Sequence, residues 1–143
     1  MKKVLIVGGV AGGASAATRL RRLDENLEII IFEKGEYVSF ANCGLPYHIG
    51  NIIENRDSLL FQTPGKLKNR FNLDVRINSE VISIDSNNKI AKIRKNTGEE
   101  YEENFDYMVL APGAKPMLPP IKGLNNNKIY TLRNINDMDN IKR

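Results

Sequence analysis

The chain contains one cysteine, Cys43, and this side chain is its best candidate for nucleophilic or redox chemistry. It lies in the segment Ser39–Tyr47, Ser-Phe-Ala-Asn-Cys-Gly-Leu-Pro-Tyr, where a short helix is predicted to begin. The thiolate is the reactive form of cysteine, and the unsatisfied N–H groups at the start of a helix favour it. The alternative is an inert thiol in the core, because free cysteine is often buried.

A glycine-rich turn, Gly8–Gly13, follows a predicted strand at residues 4–7 and opens a predicted helix at residues 14–23. In this context glycines let the backbone approach a pyrophosphate, which indicates a nucleotide-binding turn. Val10 occupies the second glycine place of the G-x-G-x-x-G pattern, and neighbouring glycines partly restore the openness that a valine removes. The alternative is a tight strand–helix turn without a ligand.

Glu33 stands at the end of a second predicted strand, residues 27–32, which closes a strand–helix–strand unit. A carboxylate at this place can accept hydrogen bonds from both hydroxyls of a ribose. The alternative is an exposed acid at the end of a strand. Glu33, the glycine turn and Cys43 together put a nucleotide-binding unit and a reactive sulfur in one small domain, which is the layout that redox chemistry needs.

Length and composition exclude several classes of protein. The 143 residues suffice for one domain with a core, and the net charge of +4, without a long run of like charges, gives no indication of nucleic-acid binding. One cysteine and one histidine exclude a disulfide framework and are too few for zinc, so no metal is expected. No segment has the apolar length of a membrane span, and glycines interrupt the N-terminal stretch that resembles a signal peptide. We therefore expect a cytoplasmic protein without a membrane partner.

Three arginines, Arg19, Arg21 and Arg22, form the densest cationic cluster and lie on the predicted first helix. Arg19 and Arg22 are three positions apart and therefore share a face of that helix. The cluster fits either a solvated helix face or a site for an anionic, phosphate-bearing ligand.

The other predicted elements extend the parallel sheet and add an antiparallel meander, which together predict an α/β fold. Thr63 and Pro64 are expected as the N-cap and first residue of a helix that continues to residue 71. Turns rich in asparagine predict a three-stranded meander at about residues 79–104. The remaining predictions are a short strand at 73–77, a buried strand at 105–111, an extended connector at 115–123, a short strand near 129–132 and a polar helix from about 134.

Six segments together resemble the N-terminal part of the single-cysteine pyridine nucleotide-disulfide oxidoreductases, and among these most closely the coenzyme A-disulfide reductases. They are Val-Gly-Gly-Val-Ala-Gly-Gly-Ala at 7–14, Arg-Arg-Leu-Asp at 21–24, Ile-Phe-Glu-Lys at 31–34, the cysteine segment at 39–47, Leu-Ala-Pro-Gly-Ala at 110–114 and Thr-Leu-Arg-Asn at 131–134. Members of the family commonly have valine at the place of Val10. The resemblance implies the N-terminal part of a Rossmann-like FAD-binding domain in residues 1–113 and, in residues 114–143, a connector toward an NAD(P)H-binding domain that the chain lacks.

The resemblance implies FAD at the first nucleotide site and NAD(P)H as co-substrate of the full-length enzyme. The flavin pyrophosphate would lie on the glycine turn, and Glu33 would bind the adenosine ribose. The residues expected to contact the cofactor are Gly8, Gly9, Val10, Ala11, Gly12, Gly13, Glu33, Lys34, Asn42, Val81, Ala111, Pro112 and Gly113.

For Cys43 the resemblance implies a redox-active nucleophile beside the flavin. NAD(P)H reduces the flavin, the flavin reduces a mixed disulfide between Cys43 and coenzyme A, and the resulting thiolate attacks the next substrate disulfide. The substrate would be coenzyme A disulfide, its persulfide or a related small disulfide. Phe71 stands where relatives have a lysine and cannot pair with phosphate, although Lys68 and Arg70 are close in sequence. The residues expected to contact coenzyme A are Ser15, Arg19, Arg22, Ser39 and Asn42.

Two departures separate the chain from neighbouring subfamilies. His48 occupies the place of the second cysteine in the two-cysteine reductases, so no internal dithiol can form. The role of His48 is either proton transfer or that of an ordinary, partly buried histidine. Ala11 stands where NADH peroxidases and water-forming NADH oxidases usually have histidine, which argues against their sulfenic acid chemistry at Cys43. That chemistry is the first alternative function.

The second alternative function is a flavin-binding fragment without activity of its own. The chain has no second glycine-rich nucleotide motif. By resemblance it also lacks the segment that completes the flavin domain and the domain that forms the homodimer of the full-length enzyme. Under this alternative, these residues alone would bind flavin weakly or not at all. We expect negligible NADH-linked turnover from them.

Overall fold

The computed structural model describes all 143 residues of the chain. Contacts between residues divide it into two compact units, each made of two separate segments. The sheet unit consists of Met1–Ser39 and Gln62–Pro112, and the cysteine unit consists of Phe40–Phe61 and Gly113–Arg143. The predicted connector therefore belongs to the cysteine unit, and its role between domains stays a prediction.

The regular elements are seven strands, four α-helices and two short 3₁₀ helices. The strands are β1 (Lys3–Val7), β2 (Glu28–Phe32), β3 (Asp74–Arg76), β4 (Ser79–Asp85), β5 (Ile90–Lys95), β6 (Glu100–Asn104) and β7 (Tyr107–Leu110). The α-helices are α1 (Gly12–Leu23), α2 (Leu45–Ile49), α3 (Pro64–Phe71) and α4 (Ile135–Lys142). The 3₁₀ helices, Asn42–Gly44 and Arg56–Leu59, lie on either side of α2 in the sequence. None of the helices combines the length and the apolar character that crossing a membrane requires.

Two sheets account for all seven strands. The first has the order β3-β2-β1-β7, and each neighbouring pair in it is parallel. The second, β4-β5-β6, is an antiparallel meander. The structure therefore confirms the predicted α/β fold with a parallel sheet, helices and a three-stranded meander.

The central strands β1 and β2 are buried on both faces because successive side chains of a strand point in opposite directions. Alternate residues of these strands pack with Ala17 of α1 and Leu67 of α3 on one face. The residues between them pack with Ala91 and Ile93 of β5 on the other face. Each fully buried side chain of this size contributes about 1.5–3 kcal/mol, so the two cores fix the sheet between the helices and the meander.

Helix starts agree with the local sequence signals. Thr63 caps α3, since its Oγ1 accepts the N–H of Lys66 at 3.2 Å. The polar helix predicted from about residue 134 is α4, where Asn134 and Asp137 form a reciprocal capping box. The structure confirms the predicted cap Thr63 and the start of the polar helix, whereas the capping box of Asn134 was not predicted.

Two strand predictions differ from the structure. The strand predicted near residues 129–132 is wrong: no strand forms there, because no other segment pairs with it and propensity alone does not make a ladder. The strand predicted as buried at residues 105–111 is the shorter β7, which pairs with β1 and forms one edge of the sheet. Its edge position explains why Tyr107 and Leu110 are exposed.

Arg21 is a structural residue, unlike the two arginines near it. It is 9% exposed, and its guanidinium donates to the carbonyl oxygens of Phe71 at 2.8 Å, Asn72 at 3.0 Å and Glu25 at 2.7 Å. These carbonyls lie at or just past the C-terminal ends of α3 and α1, where acceptors lack helical partners and a cation is favoured. Neither interpretation of the arginine cluster therefore holds for Arg21, whereas the other two arginines are exposed.

Replacing Arg21 by methionine should lower the free energy of unfolding by roughly 2–3 kcal/mol, because three carbonyl oxygens lose their charged donor. The matched control is Arg22→Met, an exposed arginine of the same helix, which should change stability by less than about 0.5 kcal/mol. Urea unfolding followed by circular dichroism measures both. Equally small losses would contradict the structural role of Arg21.

Candidate functional site

The carboxyl ends of the parallel strands meet at one edge of the sheet, and the glycine turn follows β1 at that edge. The chain proceeds outward from β1 through β2 to β3 and later adds β7 on the other side of β1, so the strand order reverses at β1. In open α/β sheets ligands bind outside the carboxyl ends of the strands, next to such a reversal. The topology thus places the glycine turn where a ligand is expected.

Two glycines of the turn are required by the packing of the sheet unit. Gly8 has a φ of 96°, and a Cβ atom on it would overlap the carbonyl oxygen of Ala111, just after β7. A Cβ atom on Gly13 would overlap the carbonyl oxygen of Gly8. Because Gly8 and Gly13 have no side chains, β7 and α1 can approach β1 closely. Packing alone therefore explains these two glycines, and they do not by themselves indicate a ligand.

Gly12 differs because the fold leaves room there for a methyl group. A Cβ atom on Gly12 would meet the Ala111 Cβ at 3.5 Å, an ordinary van der Waals contact. Gly12 begins α1, whose N-cap Ala11 supplies no side-chain hydrogen bond and whose first turn contains no acidic residue. The first N–H groups of α1 therefore have no side-chain cap and carry the positive end of the helix dipole, which suits an anionic group.

Glu33 connects the glycine turn to three other segments, and it is only 9% exposed. Its Oε2 accepts the N–H of Gly9 at 2.9 Å, and its Oε1 accepts the N–H of Gly35 at 2.9 Å. Its own N–H donates to the Arg76 carbonyl at 3.0 Å, and its carbonyl accepts the Ser79 N–H at 2.9 Å. Each carboxylate oxygen has two acceptor positions, so each can accept one further hydrogen bond, for example from a pair of neighbouring hydroxyls.

A cavity of about 130 Å³ opens beside Glu33. Five of the residues expected to contact the cofactor line it: Gly8, Glu33, Lys34, Val81 and Pro112. Sequence reasoning missed its other lining residues, Val7, Phe32, Ser79 and Glu80. Ser79 and Glu80 could have been found from the sequence, because they start the predicted meander and directly precede Val81.

The other residues expected to contact the cofactor lie in several places. Gly9 is buried, and a Cβ atom on it would lie 2.8 Å from Val38 Cγ1. Val10, Ala11 and Gly12 form the partly or fully exposed side of the turn, and Ala111 contacts the turn through Gly8. Asn42 and Gly113 belong to the cysteine unit.

The residues expected to contact coenzyme A include one exposed face of α1. Ser15, Arg19 and Arg22 lie at positions i, i+4 and i+7 of that helix, and all three are exposed. Ser39 has a left-handed backbone with a φ of 49°, and its N–H donates to the Gly9 carbonyl at 2.9 Å. The helix face could bind phosphate groups, because guanidinium groups match their geometry.

Phe71 stands where the resemblance described above implies a lysine, and the structure gives it a packing role. Its side chain is partly buried against the core of the sheet unit. The Arg70 guanidinium lies 5.2 Å from the centre of the Phe71 ring, and Lys68 is exposed. A cation is therefore available on α3, but not from residue 71.

Cys43 lies in the 3₁₀ helix Asn42–Gly44, directly before α2, and it is exposed. Cys43 is therefore not in the core, as the alternative of an inert core thiol required, and its reactivity stays a prediction. The Ala41 N–H donates to the Leu59 carbonyl at 2.9 Å, and a Cβ atom on Gly44 would lie 2.5 Å from Leu59 Cδ2. The chain thus packs against Leu59 on both sides of Cys43 while the cysteine itself stays accessible.

His48 is buried, and its ring forms a hydrogen bond with the loop after α2. Its Nδ1 donates to the Ile53 carbonyl at 2.7 Å, and a carbonyl can only accept, so Nδ1 carries a proton. The His48 carbonyl accepts a hydrogen bond from Lys142 Nζ at 2.7 Å. Of the two interpretations of His48, these contacts support the structural one.

Arg56 and Asp139 form an ion pair with two hydrogen bonds in the cysteine unit. Arg56 Nε donates to Asp139 Oδ1 at 2.8 Å, and Arg56 Nη2 donates to Asp139 Oδ2 at 2.7 Å. Hydrogen bonding by Arg56 lowers the pKa of Asp139. Because α4 packs against α2, this pair helps to attach α4 to the segment that contains Cys43.

Comparison with known proteins identifies relatives of the chain. The family model described as pyridine nucleotide-disulphide oxidoreductase matches residues 2–143. The coenzyme A disulfide reductase of Staphylococcus haemolyticus is 43% identical over 142 residues, which cover 99% of this chain and 32% of that protein. The chain therefore spans about a third of the length of the curated relatives it matches.

Two solved structures are also similar to the chain. Reduced Bacillus anthracis CoADR-RHD has 52% sequence identity and a TM-score of 0.95, and the match covers 99% of this chain and 26% of that one. The NAD-dependent persulfide reductase from A. fulgidus has 37% identity and a TM-score of 0.92, and the match covers 97% of this chain and 26% of that one.

The Arg56–Asp139 pair should make stability depend on pH. The pKa of Asp139 in the folded chain lies below its ordinary value of 3.8. The pair therefore stabilises the folded chain above that value, and the stabilisation is lost as the pH falls through the lowered pKa. Both side chains are about a third exposed, at 32% and 33%, so the contribution should not exceed about 1 kcal/mol.

Urea unfolding of wild type and Asp139→Asn over a range of pH checks this dependence. The stability difference between them should be present near neutral pH and disappear in acid. Glu54→Gln, at an exposed acid of the same unit, should give no such difference. If the difference in unfolding free energy between wild type and Asp139→Asn stayed constant to a pH well below 3.8, the effect of Arg56 on the Asp139 pKa would be contradicted.

Proposed function

Because the chain belongs to the pyridine nucleotide-disulphide oxidoreductase family, we propose that it carries the nucleotide end of an FAD site and the redox-active cysteine of an NAD(P)H-dependent disulfide reductase. The proposed substrate is coenzyme A disulfide, coenzyme A persulfide or a related small disulfide. The cavity at the carboxyl edge carries the proposal, since five residues expected to hold FAD line it together. The names of the coenzyme A disulfide reductase and persulfide reductase relatives support the substrate class.

The carboxyl edge of the sheet fits the adenosine diphosphate part of FAD. The uncapped first turn of α1 offers N–H groups to a pyrophosphate, and Gly12 leaves the backbone open to its approach. The Glu33 carboxylate can accept one hydroxyl of the ribose on each oxygen, in addition to its two backbone partners. We assign further contacts to the Val81 backbone and to the turn Ala111–Gly113.

The chemistry assigned to the chain's own residues is thiol–disulfide exchange at Cys43. FAD, when bound, would supply two electrons taken from NAD(P)H. The Cys43 thiolate attacks one sulfur of the substrate disulfide, so that a mixed disulfide forms and one coenzyme A leaves as thiolate. Two-electron cleavage of the mixed disulfide then releases the second coenzyme A and restores the Cys43 thiolate. The exposure of Cys43 supports this role, because the attack requires access to the sulfur.

Coenzyme A recognition is assigned to the exposed face of α1. Arg19 and Arg22 are both exposed, and neither has an acidic partner within the chain. Their guanidinium groups are therefore available to the phosphates of coenzyme A, with Ser15 on the same face as a further donor. Ser39 and Asn42, which precede Cys43 in the sequence, are proposed as additional contacts.

Replacing Gly12 by alanine should weaken the binding of FAD to the chain by about tenfold or more without loss of stability. The methyl group has room in the fold but occupies the side of α1 that the pyrophosphate must approach. The matched control is Gly65→Ala, because Gly65 also lies in the first turn of a helix and its Cβ would meet Thr63 Oγ1 at 4.0 Å. Quenching of flavin fluorescence measures the affinities, and urea unfolding measures the stabilities. Absence of FAD binding by the wild-type chain, or equal affinities of the two variants, would contradict the proposed site.

Incubation with coenzyme A disulfide should attach one coenzyme A to the chain, because this half of the reaction needs only the Cys43 thiolate. Intact-mass spectrometry detects the adduct, which Cys43→Ser should not form. Arg19→Ala and Arg22→Ala should each slow its formation about threefold or more, whereas Arg94→Ala, at an exposed arginine of the meander, should not.

The uncharged hydroxyethyl disulfide provides the control for phosphate recognition. None of the arginine variants should change the rate at which it reacts with Cys43. If the Arg19 and Arg22 variants match wild type with both disulfides, the assignment of coenzyme A to α1 fails. If wild type forms no adduct with either, the nucleophilic role of Cys43 fails.

A further inference from the structure

The helical segments around Cys43 are too short to be stable on their own. The 3₁₀ helix that contains Cys43 has 3 residues, and α2 directly after it has 5 residues. Isolated helices shorter than about 12–15 residues are marginal in water, so contacts from elsewhere must hold this backbone. Two sets of such contacts in the cysteine unit originate on α4.

The first set acts on the C-terminal end of α2. Lys142, the last residue of α4, donates through Nζ to the His48 carbonyl at 2.7 Å. The His48 carbonyl also accepts the Asn51 N–H at 3.1 Å, and a cation at this end of a helix interacts favourably with the helix dipole. The His48 ring in turn holds the Ile53 carbonyl at 2.7 Å. One lysine of α4 therefore helps to fix the end of α2 and the loop that follows.

The second set acts on the residues next to Cys43. Asp139 of α4 holds Arg56 through the two hydrogen bonds described above. Arg56 begins the 3₁₀ helix that ends at Leu59. The Leu59 carbonyl accepts the Ala41 N–H at 2.9 Å, and the Leu59 side chain packs against Gly44. Through Arg56 and Leu59, Asp139 thus constrains the backbone on both sides of Cys43.

Helix α4 has stabilising features other than Asp139 and Lys142, so these two side chains can be changed while the helix stays in place. The capping box of Asn134 and Asp137 closes its N-terminal end. Ile135 and Met138 are fully buried at 0% exposure. We propose that Asp139 and Lys142 are positioning residues for Cys43, which fix the backbone on both sides of the thiol through Arg56 and His48. This inference rests on the proposed role of Cys43 as the nucleophile.

Hydrogen exchange and thiol reactivity of the full 143-residue chain test the inference together. In Asp139→Asn and in Lys142→Met, amide exchange at residues 41–50 should rise about two- to fivefold, whereas exchange in β1 and β2 should not change. The rate of Cys43 alkylation by iodoacetamide should move toward the rate of the urea-unfolded chain. The matched control is Asn140→Ala, at an exposed residue of the same helix, which should behave as wild type.

Rescue by a conservative change separates positioning from general destabilisation. Lys142→Arg retains a cationic donor for the His48 carbonyl and should restore wild-type exchange and alkylation. Exchange that also rises in β1 and β2, or that Lys142→Arg does not restore, overturns the inference. So does an alkylation rate that is the same in wild type, in both variants and in the unfolded chain.

The inference and the proposed function can fail separately. If wild type forms the coenzyme A adduct but the two variants leave exchange and alkylation unchanged, only the positioning role is overturned. If exchange and alkylation respond as expected but wild type forms no adduct with coenzyme A disulfide, the positioning role is supported and the proposed function fails.

Discussion

The Glu33 carboxylate accepts the N–H groups of Gly9 and Gly35, and the Glu33 backbone bonds to Arg76 and Ser79. One residue thereby connects the glycine turn, the end of β2, the end of β3 and the start of β4. Hydrogen bonds to a charged group contribute about 1.5–3 kcal/mol each, which applies to the two bonds of the carboxylate. Together with the two backbone bonds, they hold the turns that line the cavity at the carboxyl edge. The same carboxylate retains the acceptor positions that a ribose would use.

Much of this edge could be predicted because its signals are local in the sequence. A run of apolar β-branched residues indicates a strand buried on both faces, and glycines directly after it indicate a turn with close backbone contacts. Glu33 was identified from its place at the end of the second strand. The roles of Gly8 and Gly12 could not be separated in this way. Only the structure shows that a side chain on Gly8 would overlap Ala111, whereas Gly12 has room.

The contacts that sequence reasoning missed join residues far apart in the chain. Arg21 resembled its exposed neighbours, but its acceptors are carbonyls of Phe71 and Asn72 at the end of α3. The strand expected near residues 129–132 had the right composition but no partner. In the cysteine unit, the residues around Cys43 depend on α4, which the sequence suggested was only a connector. Such partnerships depend on the tertiary fold, and no local pattern contains them.

The central claim is that the edge organised by Glu33 holds the adenosine end of FAD. Titration of the isotope-labelled chain with FAD, followed by amide NMR signals, tests it most directly. The account predicts that the signals of Gly8–Gly13, Glu33, Lys34 and Val81 shift together, while those at the opposite ends of β1 and β2 stay in place. Shifts confined to other parts of the chain, or none as FAD approaches saturation, would contradict it.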